Sequence, residues 1–155
     1  QKRADLAICL EVGEHLAAES AQGLVKSLVD IAPVILFSAA IPRQGGTHHV
    51  NEQWPEYWAD IFKTHGYIPV DCIRRKVWAN EAVKYFYAQN TFLYIKESEA
   101  SKYPGIENEI KNGNSSALSL VHPVKYLSLF RPPSPFYIRV IRKIKILIRK
   151  LFPFI

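Results

Sequence analysis

Methionine is absent from all 155 residues, and cysteine occurs only twice, as Cys9 and Cys72. With no initiator and an opening Gln-Lys-Arg, the chain is expected to begin inside a longer parent. Two cysteines are too few for a thiolate zinc site. Both fall in apolar stretches read as strands, where a buried free thiol is the expected state, and this points to a cytoplasmic compartment. No apolar run is long enough to span a bilayer, and Leu6 to Leu10 is too short for the apolar region of a signal peptide. Glycine is sparse. The one adjacent pair, Gly45-Gly46, has no Lys-Ser/Thr after it and so is not a phosphate loop. No internal repeat is found. Acid is missing from residues 137–155, which carry six of the basic residues. The net charge of +6 therefore belongs to this tail, because residues 1–136 hold fourteen basic and fourteen acidic side chains.

Against these absences stand short apolar runs separated by helical patterns. Leu6 to Leu10 is of strand length, and its unbroken apolar character predicts burial on both faces, as in a parallel sheet. Ala21, Leu24, Val25, Leu28 and Ile31 recur at helical spacing, which predicts a helix over about Ser20 to Ile31 with Ser20 as its cap. Val34 to Ala40 is a further strand, parallel to the first. A polar loop from Ile41 to Gln53 leads into a helix with Pro55 in its first turn, Trp54, Trp58, Ile61, Phe62 and His65 on one face, and Gly66 at its end. Tyr67 to Ile73 and Thr91 to Lys96 are read as an antiparallel pair. The excursion between them holds a short helix at Glu81 to Tyr87. The fold class is thus α/β: two parallel strands, then an antiparallel pair. Three segments are expected, with the body at 1–97, an irregular extension and Pro-rich linker at 98–136, and a helical basic tail at 137–155.

The segments at Asp5 to His15, Phe37 to Gly46 and His49 to Trp58 resemble parts of class I S-adenosylmethionine-dependent methyltransferases. Asp5 to His15 is similar to that family's fourth strand, an Asp and an apolar run followed by E-V-x-E-H. Phe37 to Gly46 is similar to its fifth strand and the loop after it. His49-Val-Asn-Glu-Gln-Trp-Pro resembles a segment of some bacterial members. The resemblance covers residues 1–97 and implies the C-terminal half of a Rossmann-like methyltransferase sheet. It implies S-adenosylmethionine as cofactor, with Leu10, Glu11 and Val12 beside it. It also implies His15 and His49 as catalytic residues, and Asn51 and Gln53 as contacts to a small-molecule acceptor, a sugar or another metabolite methylated on oxygen. The glycine-rich turn and ribose-binding acid of the family's first two strands have no counterpart. The chain is therefore expected to be inactive alone, and to pair with a missing N-terminal half or form a homodimer through the strand at Leu6 to Leu10. The alternative is a non-catalytic interaction module.

The spacing Glu11-x-x-Glu14-His15 also resembles the metal motif of small-RNA 3′-terminal 2′-O-methyltransferases and of some ubiquinone-pathway O-methyltransferases. In the RNA enzymes a histidine from the following loop completes the site, and His48 or His49 stands in that place. Glu11, Glu14, His15 and His49 together would suit Mg²⁺, Mn²⁺ or Zn²⁺. The alternative is that the two acids only begin the next helix, where negative charge suits the dipole.

Other polar and aromatic residues are read as structural. Trp54, Trp58 and Trp78 are assigned to core or interface, Tyr85-Phe86-Tyr87 to packing of the excursion, and His122 to a loop without a partner. The tail admits two readings. As a helix, residues 137–152 place isoleucines on one face and arginines and lysines opposite, which suits the periphery of an anionic membrane; packing on a partner is the other. Nucleic acid is not an expected partner, since no recognition module is present.

Overall fold

The structure, a computed structural model, describes residues 4–111 and 117–130. The expected tail helix, the linker at 131–135 and the segment 137–155 lie outside the described residues. Among the described residues, no helix is long and apolar enough to cross a membrane. The chain divides into two compact units, 1–125 and 126–155. In the second, the Tyr126 and Phe130 rings meet edge to face at 5.0 Å.

The first unit is an α/β structure around a four-stranded mixed sheet. Strands β1 (Ala7–Leu10), β2 (Val34–Ser38), β3 (Tyr67–Val70) and β4 (Phe92–Lys96) stand in the order β1-β2-β4-β3. β1 and β2 are parallel, Cys9 opposite Phe37, and β4 runs antiparallel to both β2 and β3. β3 is an edge strand, and its Pro69, which has no N–H to give to a further neighbour, is tolerated there. Because β4 is reversed, its amino end lies with the carboxyl ends of the other three strands. The turn after β1, the loop after β2, the segment after β3 and residues Gln89 to Thr91 therefore share one end of the sheet.

Helices α1 (Ala21–Ile31) and α2 (Pro55–Thr64) cover one face. Val25, Leu28, Trp58 and Phe62 fill the core there with Ile35, Phe37 and Tyr94. Phe62 stacks on Tyr94 at 3.9 Å between centroids, and Trp58 lies 5.1 Å from Phe37. Burial of these aromatics dominates the energetics of the unit. Two short helices, α3 (Arg74–Val77) and α4 (Tyr85–Asn90), fill the excursion between β3 and β4. On the opposite face, α5 (Pro104–Lys111) brings Ile106 and Ile110 against Val34, Val70 and Ile95. Among the described residues the last helix is α6 (Pro123–Ser128), which runs across the boundary at residue 125.

Several expectations are corrected. β1 is not buried on both faces. Ile8 is 62% exposed and Leu6 45%, because the second face is covered over β3 and β4 by α5 and not over β1. Ser20 makes no capping bond; it already has helical torsions and closes a short 3₁₀ turn, Ala18–Ser20. The excursion helix begins at Tyr85 and not Glu81, because Asn80 Oδ1 accepts the Ala82 N–H and its carbonyl accepts that of Val83, a turn that competes with helix. Cys72 lies beyond the end of β3 and is only partly buried.

Candidate metal centre and its amide network

The site begins where β1 ends. Glu11 adopts φ 53°, a left-handed conformation costing about 1–2 kcal/mol for a residue with a Cβ. Its N–H is held by the carbonyl of Ser38 at 2.9 Å and that residue's hydroxyl at 3.1 Å. Arg43 and His48 in the loop after β2 are also left-handed, at φ 65° and 61°. Such strain concentrates where the surroundings over-determine the backbone, typically at functional sites.

After Glu11 the chain makes a 3₁₀ turn, Gly13–His15. Gly13 is required there, since a Cβ would lie 2.7 Å from the Trp58 ring. The Glu14 carbonyl accepts the N–H groups of Val50 and Asn51 at 2.8 and 3.0 Å, which docks the loop after β2 on the turn after β1. The result places Glu14, His15 and His49 together, with one ligating atom from each within 4.8 Å of the others. The His15 and His49 rings meet edge to face at 4.9 Å.

Glu14 is 0% exposed, and neither of its carboxylate oxygens has a hydrogen-bond partner. Buried carboxylates are otherwise paired or bound to metal. Burial raises its pKa above the ordinary carboxylate range, against the nearby N–H of its own backbone; repulsion from Glu11 adds to the rise and the pull of His49 and His15 opposes it. Burial, and then the nearby charge of Glu14, also push the Cys9 thiol up to about 11, so it stays protonated in the core.

His49 is oriented from behind. Its Nδ1–H donates to Glu52 Oε1 at 2.9 Å, which leaves Nε2 as the acceptor nitrogen. A carboxylate behind the imidazole is the usual support of a metal-binding histidine. Glu52 also takes the N–H groups of Arg43 and Gly45, each at 2.7 Å. Burial alone would raise its pKa, but these three bonds hold it below the ordinary range. The His49 ring lies directly over Gly46, where a Cβ would collide with the imidazole. Gly46→Ala should therefore swing His49 away from Glu14 and His15. We expect a loss of metal affinity of about 10–100-fold, the range seen when a ligand loses its support. The unfolding midpoint of the metal-free chain should hardly move, and titration calorimetry beside a thermal melt separates the two effects.

Glu11 is directed elsewhere. Its carboxylate accepts Gln44 Nε2 at 2.9 Å and Asn90 Nδ2 at 3.2 Å. Asn90 and Gln89 both donate to Gln44 Oε1, and Lys125 Nζ lies 3.0 Å from the Gln44 carbonyl. So Glu11 anchors an amide network, whereas Glu14, His15 and His49 form the cluster of potential ligands. Of the two candidate loop histidines, His49 is the one brought in; His48 is exposed. Asn51 is buried, its Oδ1 bonded to Gln53 Nε2 at 3.0 Å and its Nδ2 without a partner. Leu10 is half-buried and Val12 exposed at the strand tip. Sequence reasoning does not single out Glu52, Gln44 or Asn90. Glu52 carries a local signal, an acid three positions after a histidine; the other two carry none.

No protein-family model, curated protein or solved structure matches the chain.

Proposed function

We propose that residues 1–97 are the C-terminal half of the catalytic domain of an S-adenosylmethionine-dependent O-methyltransferase. In this reading Glu14, His15 and His49 hold a divalent cation on the acceptor side. The observation that carries it is the fully buried Glu14 carboxylate, unpartnered on both oxygens, facing two imidazoles at the carboxyl end of the sheet. Ligands of open parallel sheets bind at that end. Two imidazoles and one carboxylate fit Zn²⁺ or Mn²⁺, with room left for a further donor. When bound, such a cation lowers the pKa of an acceptor hydroxyl.

The chain's own residues then do the positioning. Glu52 fixes the His49 tautomer, and the Gln44–Asn90 amides hold Glu11 at the tip of β1. Leu10, Glu11 and Val12 supply one wall of a cofactor site. No glycine-rich cradle for methionine occurs among the described residues, so no step of the transfer is assigned to them. Calorimetric titration of this chain with S-adenosylmethionine should show no saturation in the micromolar range; micromolar affinity would contradict the half-site reading. Protein carrying both halves of the sheet should transfer labelled methyl to hydroxyl acceptors. His49→Ala or Glu14→Gln should abolish that transfer, and full activity in both variants would overturn the assignment.

An alternative reading has its own observation. Ile8 of β1 and the flanking Leu6 and Val12 are exposed beside a strand edge that, among the described residues, pairs with no further strand. An open apolar edge invites pairing with another chain. Under this reading the unit is an interaction module. Light scattering should then show dimers or larger species whose population falls with Ile8→Lys. A stable monomer at high concentration would exclude it.

A further inference from the structure

A separate cavity of the first unit, of about 520 Å³, lies between α3, α4 and the segment before α6. Its wall is aromatic. Trp78 and His122 lie 4.8 Å apart at 46°, and Tyr85 lies 6.3 Å from His122 at 38°. The His122 ring is locked: Nε2–H donates to the Trp78 carbonyl at 2.9 Å, and Nδ1 accepts the Val124 N–H at 3.2 Å. With both nitrogens committed, His122 offers a ring face and neither a base nor a ligand. The rim is polar, with Asn80, Glu81 and Lys84, so it supplies donors and acceptors together.

This cavity is tied to the tip of β1. The His122 N–H donates to Gln89 Oε1 at 2.8 Å, Gln89 Nε2 donates to Asn90 Oδ1 at 2.9 Å, and Asn90 Nδ2 donates to Glu11. Burial, and then the charge of Glu11, raise the pKa of the Tyr85 phenol, which places that group within the field of the β1 tip.

We propose that this aromatic cavity binds a pyranose-type sugar, one C–H face on the Trp78–Tyr85–His122 wall and its hydroxyls on the polar rim. The Trp78 and Tyr85 rings are each inclined to His122 and form no parallel slot with it, so they suit a puckered ring held on one face better than a flat aromatic held on two. The negative π-faces attract the weakly positive C–H groups, and hydroxyls both donate and accept, as the rim requires. That such a sugar would be the methyl acceptor rests on the reading above; the binding itself does not.

Saturation-transfer NMR on the full chain tests this with methyl glucoside, methyl galactoside and glucuronate against catechol and adenosine. At least one pyranoside should bind, more tightly than either flat ligand. Trp78→Ala and Tyr85→Ala should each weaken it roughly tenfold, about the worth of one ring contact. Tyr85→Phe, which keeps the ring, should bind as the parent does. His49→Ala should also leave binding intact, so loss of the metal reading and loss of this one are separable. Absence of pyranoside binding at tens of millimolar, preference for catechol or adenosine, or binding indifferent to Trp78→Ala would each overturn the proposal.

Discussion

Saturating Zn²⁺ or Mn²⁺ should raise the unfolding midpoint of the metal-free chain, and Glu14→Gln should abolish the gain. A ligand at a hundredfold excess over its Kd stabilises by about 2.7 kcal/mol. For a chain of this size that is about 5–10 °C. The effect should grow with pH, and the sign follows from Glu14. Its pKa in the folded chain is raised, by burial first. Between the ordinary carboxylate range and that raised value, the native state holds a proton that the unfolded state has lost. The stability of the metal-free chain is therefore fullest below that window and falls as pH rises through it. Metal needs the deprotonated carboxylate and neutral imidazoles, so its contribution rises over the same interval. Differential scanning calorimetry at stepped pH, from the ordinary carboxylate range upward, should show both slopes in the parent and neither in Glu14→Gln. A metal gain that falls with pH would contradict a role for Glu14 as ligand.

The other large effect is expected at Arg74, only 1% exposed. Its guanidinium meets Asp71 through two parallel bonds, Nε–H to Oδ1 at 2.9 Å and Nη2–H to Oδ2 at 2.6 Å. Its remaining donors reach the carbonyls of Leu118 at 2.7 Å and Ala117 at 3.1 Å, and its plane lies 4.1 Å over the Phe92 ring. One side chain thus links the end of β3, the start of β4 and the segment leading to His122. Arg74→Leu strands the buried Asp71 carboxylate and should cost about 3–5 kcal/mol. Adding Asp71→Leu removes the uncompensated charge and should recover a substantial part of that loss. Urea unfolding of the single and double variants measures both. Hydrogen exchange should show Leu118 to His122 released in Arg74→Leu, because their tether is gone. A single variant within about 1 kcal/mol of the parent would contradict this.

The parts of this fold legible in the sequence are those set by local periodicity. The apolar runs at Leu6 to Leu10 and Val34 to Ala40, the helical spacing from Ala21 to Ile31, and Pro55 and Gly66 bracketing a helix all correspond to observed elements. The antiparallel pairing of the last two strands is expected from the sequence and present in the fold. Strand order is not legible. Nothing in residues 91–96 states that β4 inserts between β2 and β3, since that follows from long-range packing. The exposure of Ile8 escapes sequence reasoning for the same reason: which part of a sheet face is covered depends on α5, far along the chain. The Glu14–His15–His49 cluster is partly visible, because Glu14 and His15 are adjacent and the loop histidines follow one strand later. Spacing groups Glu11 with them, but the backbone turns left-handed at that residue and sends its carboxylate to Gln44 and Asn90. Those amides lie 33 and 79 residues away, beyond the reach of any local pattern. His122 reads as a loop residue without a partner, whereas it bonds Gln89, Trp78 and Val124.

The most direct test of the proposed metal centre is X-ray absorption spectroscopy of the chain loaded with one equivalent of Zn²⁺. Two imidazole nitrogens and one or more oxygens are expected at about 2.0–2.2 Å, with one imidazole lost in His49→Ala and the other in His15→Ala. A fully aqueous shell, a sulfur ligand, or a spectrum unchanged by both substitutions would contradict it.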